Sequence, residues 1–153
     1  MIKIYVSVII MHGVFIMILI STKGRYALQV MLDLAEQDSE KFVPLEEIAS
    51  RQGISKKYLE AILKVLVQHG FLKGLSGRGG GYKLTRKPAE YNVGEILELT
   101  EVTLATVSCL KSENNTCEKK FNCRILPMWE KFNEITHEFF FNITLEDILN
   151  NKF

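Results

Sequence analysis

The stretch that decides the fold is PLEEIASRQGISKKYLEAILKVLVQHGFLKGLSGRGGGYKLTRK, residues 44–87. Pro44 suits the first position of a helix, where a missing N–H costs nothing, and Leu45, Ile48 and Ala49 follow it at helical spacing. Gly53 is placed as a left-handed cap beyond that helix, and Ser55 caps the next one. The second helix carries Leu59, Ile62, Leu63, Leu66 and Val67 on one face and runs to Gly70, with Lys56, Lys57, Glu60 and Lys64 outward. Two short amphipathic helices around Gly53 and Ile54 form either a helix-turn-helix or an ordinary helical hairpin. The residues after Gly70 decide between the two. Phe71 to Ser76 and Tyr82 to Thr85 are short strand candidates joined by Gly77, Arg78, Gly79, Gly80 and Gly81. Four glycines around one arginine make a hairpin tip whose backbone can adopt positive φ and press close to another surface. Arg78 at that tip suits the narrow minor groove of DNA, whose negative potential attracts arginine. Neither nucleotide-binding glycine spacing, GxxxxGK nor GxGxxG between strand and helix, is satisfied. A helix-turn-helix followed at once by a basic hairpin is a winged helix, so the expected class is mainly α with one small β-hairpin.

Working outward, Tyr26, Ala27, Val30, Met31, Leu34 and Ala35 predict an amphipathic helix over about Ser21 to Gln37, ended by the polar residues Asp38 to Lys41. Asn92 and Glu95 form a capping pair for a helix from Val93 to about Val102, with Ile96, Leu97 and Thr100 inward. A long helix runs from about Leu126 or Pro127 to Phe141. Its stripe of Trp129, Phe132, Ile135, Thr136, Phe139 and Phe140 is so aromatic for a small chain that a second copy is expected to pack on it. Thr144, with Asp147 three residues on, caps a short final helix. The division is a winged-helix region over 17–88 and, over 89–153, a sensor loop (103–125) with dimerisation helices.

At 153 residues the chain can bury a core without disulfide support. The formal net charge of +1 conceals an uneven distribution. Nine basic residues, Arg51, Lys56, Lys57, Lys64, Lys73, Arg78, Lys83, Arg86 and Lys87, face the single acid Glu60 between positions 51 and 87. From Pro88 onward six basic residues face eleven acids. A local positive excess marks either a polyanion-binding face or a merely solvated one.

Cys109, Cys117 and Cys123 are the chain's only cysteines and lie in a polar stretch. An odd count in a chain unlike a secreted scaffold points to a reducing cytosol and to thiolate chemistry rather than disulfides. Thiolates suit iron-sulfur clusters and zinc alike, but structural zinc sites use pairs two to four residues apart, and this segment has none. Redox-active thiols and an inert site are the alternatives to ligation.

Residues 1–20 are almost wholly apolar and near the length that spans a bilayer. As a membrane helix, the following Lys23 and Arg25 would leave the remainder in the cytoplasm. The preferred reading is that 1–16 is a mis-assigned extension and that translation starts at Met17.

The motifs STKGRYA (21–27), VPLEEIA (43–49), RQGIS (51–55) with YLE (58–60), GGGY (79–82), VGE (93–95) and NITL (142–145) resemble those of the Rrf-two (Rrf2) family of winged-helix transcription regulators, over about Leu19 to Asn151. The resemblance implies a cytoplasmic homodimer, joined through the helix at about 126–141, that binds an imperfect palindrome in double-stranded DNA and acts as a repressor. It places the helix beginning at Ser55 in the major groove and the wing in the minor groove. Tyr58 and Glu60 then face base edges, while Lys56, Lys57 and Lys64, with Lys23 and Arg25 near the amino end, join the DNA contacts. In iron-sulfur members three cysteines just before the long helix hold a cluster, and Cys109, Cys117 and Cys123 occupy those positions, which implies a cluster of the [2Fe-2S] kind. The spacing here is seven and five intervening residues, where several members have five and five. One group of members supplies a histidine three residues after the last cysteine; here that residue is Leu126. His69 and His137 are not obvious substitutes, and Glu113, Glu118 or a group from the partner's first helix remain open as fourth ligand. The rival from another class is a regulatory interaction protein that binds a metabolic enzyme, its cysteines inert or a thiol switch. An enzyme is not supported, because no nucleophile and base or convergent acids can be located.

Overall fold

The computed structural model describes residues 20–111 and 117–153. The extension at 1–16, the Met17 start and Glu113 lie outside the described residues. Helix α1 (Thr22–Ala35) begins where the Ser21 hydroxyl oxygen accepts the Gly24 N–H at 3.1 Å. Helix α2 (Leu45–Gln52) starts one residue later than expected. Pro44, at φ −60° and ψ 145°, is extended and serves as the cap, so Leu45 is the first helical residue. Gly53 adopts φ +63°, a left-handed conformation in which a side chain would be strained, and Ile54 N–H closes the end on Ala49 O at 3.1 Å. Ser55 then caps α3 (Lys56–Gln68) through the Tyr58 N–H.

Strands β1 (Leu72–Leu75) and β2 (Gly81–Leu84) pair antiparallel with Leu72 opposite Leu84 and Gly74 opposite Tyr82. Val43 extends this ribbon by two backbone bonds to Tyr82, each 2.9 Å. Gly81 permits that approach, since a Cβ there would collide with the Val43 carbonyl. The class is the expected one: mainly helical with a two-stranded hairpin after a helix-turn-helix.

Ala27, Val30, Met31, Ile48, Leu59, Ile62, Leu63, Leu66 and Leu72 interlock as the core, joined from the carboxy-terminal half by Tyr91, Ile96 and Leu145. Helix α4 (Val93–Glu98) is shorter than the periodicity predicts. The Thr100 hydroxyl donates to Leu97 O at 3.1 Å and the chain turns away, leaving Val102 fully exposed. Asn92 caps α4 as expected, but the Glu95 side chain pairs with Arg86 at 3.7 Å instead of returning to the cap. Helix α5 (Leu126–Asn142) and α6 (Leu145–Leu149) complete the chain, α6 opening on the Thr144–Asp147 capping box. Among the described residues no helix is long and apolar enough to cross a membrane.

Candidate nucleic-acid interface and cysteine segment

At 100° per residue, the buried Leu59, Ile62, Leu63 and Leu66 occupy one side of α3, and Lys57, Glu60, Ala61, Lys64 and Gln68 form the exposed opposite stripe. Lys56 and Tyr58 stand at the two margins of that stripe. Lys56 is tied to Glu46 of α2, Nζ to Oε1 at 3.0 Å, and its hydrogen bond holds the Glu46 carboxyl below the usual range. Tyr58 is 38% exposed, and its ring meets Tyr26 of α1 edge-on at 5.9 Å. That contact lays the amino-terminal turn of α1, with half-buried Lys23 and exposed Arg25, beside the start of α3. Ala61 and Gln68 were missed by sequence reasoning, which weighted charge; their helical phase alone could have found them.

Arg78 is exposed in a loop where Gly77 and Gly79 have φ of +91° and +76°, the backbone freedom read from the glycine run. The wing's base is held by a residue that carried no sequence signal. The Tyr91 hydroxyl, fully buried, donates to Phe71 O at 2.8 Å and accepts the N–H groups of Thr85 and Arg86 at 2.9 and 2.8 Å. The Arg86 guanidinium lies over the Tyr91 and Phe71 rings at 4.3 and 4.8 Å.

Not all nine basic residues form one free surface. Arg51 grips Asp33, a carboxylate only 4% exposed in α1, through Nε at 2.8 Å and Nη2 at 2.7 Å, and Gln52 adds a bond of 2.9 Å. The Asp33 bond raises the Arg51 pKa above its ordinary value, so this charge is permanent and is held by a buried carboxylate. Lys83 lies 3.9 Å from Glu40 and over the Phe42 ring, and Arg86 is stacked as described.

The three cysteines are half-buried and outside any disulfide. Cys109 lies in a single 3-10 turn, Ser108–Leu110; Cys117 and Cys123 flank another, Lys120–Asn122. The Cys123 carbonyl accepts the Leu126 N–H at 3.2 Å, so the segment runs directly into α5. Upstream, Thr106 N–H bonds Asn133 Oδ1 of α5 at 3.0 Å. Three thiols are a fitting donor set for an iron-sulfur cluster. Among the described residues they do not converge into a metal-holding group with one another or with any His, Asp or Glu. Leu126 offers no fourth donor, His137 is stacked on Phe141 at 4.1 Å, and His69 caps α3.

Helix α5 has no buried residue. Trp129, Asn133, Thr136 and Phe140 lean toward the body, and Phe141 lies against Gly94 of α4, where any Cβ would strike its ring. The other side exposes Met128, Phe132, Ile135 and Phe139 at 56, 47, 51 and 56%. The expected single stripe is therefore two: Phe132, Ile135 and Phe139 face outward, while Trp129, Thr136 and Phe140 face the body.

The model for a family described as Rrf2, iron-dependent transcriptional regulator, matches residues 20–151. The chain belongs to the Rrf2 family. It is thus a DNA-binding transcriptional regulator and not an enzyme. The HTH-type transcriptional regulator IscR of Pectobacterium atrosepticum is 35% identical over 133 residues, 87% of this chain and 80% of the relative. Among solved structures, IscR of T. potens is 35% identical with a TM-score of 0.67, covering 86% of each chain. CymR, the global cysteine regulator of B. subtilis, is 30% identical with a TM-score of 0.70, covering 86% of this chain and 96% of its own.

Proposed function

We propose that this Rrf2 regulator is a homodimeric repressor that binds an imperfect palindrome and whose affinity is set at Cys109, Cys117 and Cys123. The observation that carries the DNA reading is the outer stripe of α3, exposed along its length opposite a fully buried face. Glu60 accepts from a cytosine amino group, Ala61 lets the helix approach closely enough to meet a thymine methyl, and Tyr58 reads at the margin. Ser55, Lys57, Lys64, Lys23 and Arg25 position the helix on phosphates, Lys56 joins them in competition with its bond to Glu46, and Arg78 enters the minor groove. Replacing Lys57 by Gln weakens binding to every sequence and lowers the salt slope by about 1. Replacing Glu60 by Gln instead removes about 1–3 kcal/mol of discrimination at one base pair. Binding measured over a salt series on a panel of single-base operator variants separates the two; equal losses across the panel for both would refute the assignment.

Cys109, Cys117 and Cys123 would hold an iron-sulfur cluster of the [2Fe-2S] kind, which supplies redox and ligand sensitivity when bound. This reading is supported by three thiols, 35% identity to IscR proteins and the family's iron-dependent description. The chain's own part is to transmit the change. The segment is tied to α5 at Thr106 and Asn133 and enters it at Cys123, so drawing the thiols together shifts the dimer helix and the spacing of two recognition helices. Protein purified without oxygen should contain iron and sulfide and absorb in the visible, and Cys117→Ser should lose the absorbance while remaining folded. Colourless, iron-free anaerobic protein leaves thiol oxidation as the sensing chemistry.

A further inference from the structure

Glu101 lies three residues beyond α4, just before the sensor segment, and its carboxylate reaches 80 positions back along the chain. Its Oε1 accepts both the backbone N–H of Ser21 at 3.0 Å and the Ser21 hydroxyl at 2.8 Å. Ser21 is the cap of α1, its hydroxyl oxygen taking the Gly24 N–H. The site is shaped for this carboxylate: Gly24 is buried, and a Cβ there would overlap Glu101 Oε1 and press Leu97 Cδ2 at 3.2 Å. A negative charge at a helix amino end is also favoured by the helix dipole. The turn so held carries Lys23 and Arg25, and the next residue, Tyr26, meets Tyr58 of α3.

We infer that Glu101 is a positioning residue for the DNA interface: by fixing the first turn of α1 it sets Lys23 and Arg25 on the duplex backbone. The inference rests on the proposed assignment of Lys23 and Arg25 to DNA phosphates. A residue that merely stabilised the fold would change melting without changing the salt dependence of binding by folded protein.

The test uses the full-length protein, a fluorescent random-sequence duplex, anisotropy over a salt series, and thermal melting of each variant. Lys23→Gln with Arg25→Gln should lower the salt slope by about 2. Glu101→Ala should reproduce most of that loss, and adding it to the Lys23/Arg25 pair should cost little more. Glu101→Gln, whose Oε1 still accepts from Ser21, should bind within about twofold of the parent, since a retained neutral acceptor preserves the geometry. An unchanged slope in Glu101→Ala, or losses that multiply in the triple variant, overturns the inference while leaving the assignment intact. An unchanged slope in the Lys23/Arg25 variant removes the assignment and the inference with it. If Glu101→Ala does not fold, Gly24→Ala takes its place. That change suits a helix but displaces the carboxylate, so a parental slope in Gly24→Ala overturns the inference.

Discussion

Lys56 and Glu46 show how a single side chain can adjust an interface from outside it. Their bond is 3.0 Å long, but both side chains are more than half exposed, at 58 and 63%, so solvent screens the pair and it adds little to folding. Its larger effect is on the cation at the margin of α3. The Glu46 carboxyl, depressed chiefly by the Lys56 hydrogen bond, stays charged through the neutral range. The sign is set by the depression: the pair's contribution is full above the ordinary carboxylate value and is lost only as pH falls through the lower, folded one. Lys56 is consequently engaged at every pH near neutrality. Glu46→Gln releases it, and we expect the salt slope of DNA binding to steepen by up to about 1 with an unchanged melting temperature. A slope equal to the parent's would mean that Lys56 leaves Glu46 for phosphate without hindrance.

Between elements, two long-range pins orient the winged helix. Tyr91→Phe would leave the Thr85 and Arg86 N–H groups and the Phe71 carbonyl without their shared partner, at a cost of about 1–3 kcal/mol in urea unfolding. Asp33→Ala leaves Arg51 charged at a site built for a carboxylate. Arg51 is about one-third exposed, so the loss belongs near the low end for a broken buried pair, about 3 kcal/mol by the same measurement. A loss below about 1 kcal/mol, the range of a solvent-screened pair, would show that water replaces the carboxylate. These pins also explain what could be read in advance. Caps at Gly53, Ser55, Asn92 and Thr144 were legible because a cap joins residues a few positions apart, and the wing because glycine alone suits its tip. Asp33 with Arg51, Phe71 with Tyr91, and Ser21 with Glu101 are 18, 20 and 80 positions apart, and no local pattern pairs them. Arg51 was therefore counted in the local positive excess, although its guanidinium is taken up by Asp33 and Glu47.

For the whole molecule, the decisive surface is the outer side of α5. Met128, Phe132, Ile135 and Phe139 are separated by four, three and four residues, the spacing of a helix seam, and each is about half exposed in the single chain. Four large apolar side chains in one line are not explained by the fold of one copy, whose core closes without them. Pairing two such seams about a two-fold axis would bring both α3 helices into a two-fold arrangement, as a palindromic site requires. Phe132→Glu with Ile135→Glu would place four carboxylates in that seam. Sedimentation should then show a monomer whose far-ultraviolet circular dichroism remains that of the parent. Affinity for a full palindrome should collapse toward that for a half-site, because the second half is no longer bound intramolecularly. A variant that sediments as a dimer, or that retains full preference for the palindrome, would move the interface off α5.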